Sequence, residues 1–164
     1  PYENQHIAKL DTNGNLIKYT NIQGNNLQED EVFTEYELAS DGYWISGSFT
    51  NADFGDGVLH TRSQKSLYLA KYDFNDSLIY LKLTPDSLNN TFAFVQSLSV
   101  NDNDEVFWQF AVPCNCTWTI DGQTAYSHNM IKLNPQGNVD CITEMNRLKI
   151  SANSKSVFPI LPVI

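Results

Sequence analysis

The chain has 164 residues, 41% of them hydrophobic and 12% aromatic, which is enough for one packed domain and too little for two generous ones. Its formal net charge is −9, with the Lys and Arg residues scattered one or two at a time, and this argues against nucleic acid or an anionic bilayer as partner. No apolar run approaches the ~20 residues that span a bilayer, so no membrane insertion is expected.

The first predicted element is a hairpin, HIAKLDTNGNLIKY from His6, whose Asn13-Gly14 supplies the positive φ of a tight reversal. An alternating strand follows near 33–38, then the turn Ser40-Asp41-Gly42 and an apolar strand near 43–49. The loop from Asn51 to Gly57 leads to a second hairpin, YLAKYDFNDSLIYL from Tyr68, with strands near 67–72 and 78–83 and Asp76 in the place of Gly14. Strands near 93–100 and 106–112 come next, then an irregular segment over 113–127. A third hairpin, NMIKLNPQGNVDCI from Asn129, gives strands near 128–133 and 139–144.

The three hairpins are copies of one another. Their central lysines, Lys9, Lys71 and Lys132, lie 62 and 61 residues apart with matching flanks. The upstream strands repeat too: a shift of 62 carries Tyr36 to Leu98 and Leu38 to Val100, and the strands after them align to within one residue. Several strands are apolar on both faces, as Met130, Ile131 and Leu133 show, and this requires packed layers on either side. No segment carries a capped 3.6-residue period, so almost no helix is expected. The expected fold is all-β, built of four-stranded antiparallel meanders arranged like the blades of a β-propeller.

The stretch from Tyr43 to Leu83, with Gly47-Ser48-Phe49, Asp53-Phe54-Gly55, Lys71 and Asp73, resembles the SBBP-type β-propeller repeat of secreted bacterial proteins. The third copy departs from it, replacing the Phe-Gly loop by Pro113-Cys114-Asn115-Cys116-Thr117-Trp118. The resemblance implies a secreted or cell-surface bacterial protein, of the kind Bacteroidetes export, and it carries no catalytic residue. On this reading residues 1–24 are the outer half of a blade, 25–84 and 85–146 are full blades, and 147–164 is a tail or the first strand of a further blade. About two and a half blades cannot close a ring of four to eight. The remaining blades are therefore expected from a longer chain or from other subunits, and the apolar stretch 157–164 is expected to need a surface to pack on.

Candidate sites are few. Asp53 and Asp56, in a loop with Gly55 and Gly57, invite a calcium reading, set against that of a tight loop. Apart from that ion no cofactor is indicated. Trp118, Tyr126 and Asp121, in the irregular segment, are the expected exposed groups for a glycan or peptide, whereas Trp44 and Trp108 are expected to fill the gap between blades. An odd set of three cysteines leaves three readings open: a disulfide of Cys114 or Cys116 with Cys141, three reduced thiols, or a thiolate metal pair at Cys114 and Cys116 with Cys141 and His128 as the other nearby ligands. Short acceptor patterns for glycosylation occur at Asn75, Asn89 and Asn115, and at Asp76-Ser77-Leu78 and Asp86-Ser87-Leu88. His6, His60 and His128 fall in different units and join no nucleophile or metal motif. The function expected is a non-enzymatic scaffold for protein–protein contact. The alternatives are a carbohydrate-binding module, or part of a larger propeller enzyme whose active site lies outside this chain.

Overall fold

The computed structural model describes residues 5–22, 31–85, 93–112, 117–126 and 128–145, and there is no helix among them. Strands β1 (Gln5–Leu10) and β2 (Leu16–Ile22) form a hairpin. β3 (Glu31–Ala39), β4 (Gly42–Ala52), β5 (His60–Asp73) and β6 (Leu78–Leu83) form a four-stranded antiparallel meander, the first sheet. β7 (Phe94–Val100), β8 (Val106–Ala111), β11 (His128–Leu133) and β12 (Val139–Glu144) form the second sheet in the same order. Between β8 and β11 the chain inserts a short hairpin of β9 (Trp118–Ile120) and β10 (Gln123–Ala125).

That insert corrects the expectation of irregular chain there. Asp121 and Gly122 take φ of 49° and 76°, the two left-handed residues of a two-residue reversal between Ile120 and Gln123. A second difference is length. β4 and β5 run past a bulge after Phe49, where Asn51 and Ala52 pair with Thr61 and His60.

The two sheets share one register, down to their irregularities. Tyr36 opposes Ile45 and Leu38 opposes Tyr43; in the second sheet Leu98 opposes Trp108 and Val100 opposes Val106. The bulge between Phe33 and Glu35 returns between Val95 and Ser97. Lys9, Lys71 and Lys132 oppose Lys18, Tyr80 and Cys141, and each lysine is followed by a bulge. The one-residue ambiguity of the repeat falls in a turn: four residues separate Leu38 from Tyr43, and five separate Val100 from Val106.

Four of the turns are made alike. Asp11, Asp73, Asn101 and Asn134 each accept, at Oδ1, the backbone N–H groups two and four residues on, at 2.8 to 3.1 Å. The third residue after each, Gly14, Asp76, Asp104 or Gly137, has positive φ. A side-chain oxygen thus does the work of a backbone acceptor, which is why Asp or Asn begins every copy.

Both faces of the first sheet are covered. Trp44, Leu67 and Leu69 point one way, here termed the front, and pack on Leu98, Val106, Trp108, Ile131 and Leu133 of the second sheet's back. Tyr43, Ile45, Tyr68, Ala70 and Tyr72 form a second cluster on the back of the first sheet, with Phe49 and Phe54. Trp44 and Trp108 are fully buried between the sheets, as their apolar bulk requires. The hairpin β1–β2 reaches the first sheet through Lys9, whose Nζ donates to the Phe74 carbonyl at 3.0 Å.

Candidate functional site

Charged and aromatic side chains gather along the seams between successive units. Lys18 donates to the Asn75 carbonyl at 2.9 Å and pairs with the Asp76 carboxylate. At the equivalent place one unit on, the Tyr80 hydroxyl donates to the Gly137 carbonyl at 2.7 Å. The β2 or β6 strand of one unit therefore holds the last hairpin turn of the next. A second latch joins the other turns: the Ser40 N–H donates to Asp104 Oδ1 at 2.8 Å, and its hydroxyl bonds the other carboxylate oxygen. Within each sheet the repeated lysine is neutralised across the meander, Lys71 by Asp41 at 2.7 Å and Lys132 by Glu105 at 2.6 Å.

These contacts perturb the groups that make them. Hydrogen bonds from Ser40 hold the Asp104 carboxyl below its ordinary range. The Lys132 ammonium does the same to Glu105, which in turn raises Lys132. Burial, followed by the Asp76 carboxylate that accepts its proton at 2.7 Å, pushes the Tyr43 phenol well above its usual range.

Of the expected ligand groups, Trp118 is buried and Asp121 is paired, whereas the Tyr126 side chain is exposed. Trp118 is not on the surface: it is 6% exposed and stacks on Phe110 with ring centroids 5.6 Å apart. It fills the part that Phe54 plays on the first sheet, where Phe54 lies 5.2 Å from Phe49 and 4.8 Å from Tyr68. The third copy has thus replaced a Phe-Gly loop by a short hairpin and kept the aromatic plug. Asp121 pairs with Lys82 of the first sheet and accepts the Val139 N–H at 3.4 Å, tying β9–β10 to both neighbours. Tyr126 is half exposed, and its backbone N–H is held by Asn129 Oδ1 at 2.7 Å.

The loop after β4 is equally self-contained. Asp53 Oδ1 accepts the Gly55 and Gly57 N–H groups at 2.9 and 3.2 Å. Asp56 Oδ2 lies 2.8 Å from His60 Nε2, and the imidazole lowers the pKa of this carboxyl. Asp53 and Asp56 are accounted for by loop closure, and no group of three or more His, Cys, Asp or Glu side chains converges among the described residues. Beside the exposed Asp53 and Asp56, the loop also exposes two large apolar side chains, Val58 and Leu59.

Cys141 is a free, exposed thiol; Cys114 and Cys116 lie outside the described residues. The patterns at Asn89, Asn115 and Asp86-Ser87-Leu88 also lie outside them. Sequence reasoning missed Asp76 and Asp104 as latches. The signal was legible: each puts a carboxylate where the turn calls for glycine, and a residue that tolerates left-handed φ less well than glycine needs a compensating role.

Compared with known protein families and with curated proteins, the chain matches neither.

Proposed function

We propose that the chain is a non-enzymatic scaffold, a run of β-propeller-like units from an exported bacterial protein, that holds loops in fixed relation for contact with another protein. One observation carries the reading. The side chains best suited to chemistry or ligand binding, Trp118, Asp121, Asp53, Asp56 and Asp104, are engaged in holding strand to strand or unit to unit. A loop end exposes Val58 and Leu59, about half open to solvent, on a backbone closed by Asp53 and Asp56. Small apolar groups on a rigid loop suit protein contact, where ordering costs little on binding. The resemblance to a secreted repeat supports placement outside the cell, at the surface of a bacterium of the Bacteroidetes type.

A photo-crosslinking amino acid in place of Val58, in the source organism, tests this. The expected product is a discrete protein adduct whose partner binds the purified chain and loses affinity to a Leu59→Ser variant. Retention of glycans lost on Tyr126→Ala, or turnover of a substrate by the purified chain, would replace the reading.

A further inference from the structure

The front of the first sheet is sealed by the second sheet, and the same positions of the second sheet's front are only partly covered. Trp44, Ser46 and Leu69 are fully buried, whereas their counterparts Phe107, Gln109 and Met130 are partly buried. Lys71 has a side chain 5% exposed and Lys132 one of 30%, although both keep their carboxylate partner. Tyr80 is half-buried against the next unit's turn, while Cys141, at the same register, is exposed. The second sheet therefore presents one half of an interface that the molecule already makes elsewhere.

What covers that face inside the molecule is, first of all, the opening strand of the following unit: β7 packs against β3 and β4 of the first sheet. Its buried residues there are Val95 and Leu98. A further shift of 62 from 94–100 arrives at 156–162, where Val157 and Ile160 take the positions of Val95 and Leu98. Pro159 falls at the position of Ser97, in what is the edge strand of both sheets, the place in a sheet where proline is tolerated. Pro162 falls at Val100, where the strand ends.

We propose that the segment 156–162, which lies outside the described residues, supplies the opening strand of a further unit and docks on the front of the second sheet, over Phe107 and Gln109. The front face is thus a seat for the chain's own next repeat, in the relation that β7 bears to the first sheet. The proposal rests on the repeated seam and not on what the scaffold binds, so its failure leaves the crosslinking test of Val58 untouched.

The test places a single thiol in the seat, Gln109→Cys, in the full chain with Cys114, Cys116 and Cys141 changed to Ser. Maleimide labelling is followed at several protein concentrations, with and without Ile160→Asp. The expected result is slow labelling that does not depend on protein concentration and rises about ten-fold when Ile160→Asp is added, because thiol reactivity follows access. Circular dichroism checks that both chains keep their sheet, and Ile160→Ser serves if the aspartate does not fold. Fast labelling of the parent would overturn the proposal, as would slow labelling that Ile160→Asp leaves unchanged. Protection that grows with concentration would assign the seat to a second copy and overturn it equally.

Discussion

Gly14 and Gly137 hold the same φ, +83°, in the same turn of two different units, yet a methyl group at each would meet different surroundings. At Gly14 nothing lies within 4 Å; at Gly137 the Tyr80 ring lies 2.5 Å from the added carbon. Gly14→Ala should therefore cost only the left-handed backbone, about 1–2 kcal/mol. Gly137→Ala should cost more, and the excess should shrink when Tyr80→Ala is present, which urea titration of the four proteins measures. Tyr80→Phe keeps the ring and removes the bond to the Gly137 carbonyl, a loss of about 1 kcal/mol. The carboxylates respond to pH in one direction. Asp104 and Glu105 bind protons less readily folded than unfolded, so the stability they add is complete above their ordinary pKa values of 3.8 and 4.5. It is lost as pH falls through the lower folded values. Thermal unfolding should show its melting temperature dropping below about pH 4, and less steeply in Asp104→Asn.

At the scale of the elements, the sequence announced most of what the structure contains. Strand positions, the three copied hairpins and burial on both faces were legible because each rests on local chemistry: Asx-headed turns, positive φ at one residue, and apolar residues on both faces of β4 and β5. The short hairpin β9–β10 was legible in principle, since Asp121-Gly122 is a strong two-residue reversal, but strands of three residues leave almost no alternation to read. Side-chain fate was the part that composition could not give. A tryptophan in an unpatterned segment reads as surface, and only the tertiary placement of Phe110 makes Trp118 a plug. Likewise nothing local marks Asp121 as the partner of Lys82, which lies on another sheet. Gly42 shows how tight the strand pairing is. An added Cβ there would lie 2.0 Å from the Tyr72 carbonyl oxygen, so Gly42→Ala should separate β4 from β5 at that end. The expected readout is faster amide exchange near Tyr43 and Tyr72 and a loss of about 2–3 kcal/mol.

For the whole molecule, the shared core decides how it melts. Trp44, Leu67 and Leu69 of one sheet and Val106, Trp108 and Ile131 of the other form one apolar cluster, so each sheet loses the face it shares if the other leaves. Trp108→Ala should cost about 3–5 kcal/mol and lower both sheets together in one transition. Probes placed on β5 and β11 would report it, and two separate transitions would show the sheets to be independent.

The front-to-back order of the seam has a consequence for the newborn chain. The first sheet's front is covered by residues synthesised after it, so a ribosome making this protein trails that completed sheet with a bare apolar face until the second sheet follows. At about 5–20 residues per second, the 62 residues of a repeat keep that face open for roughly 3–12 seconds.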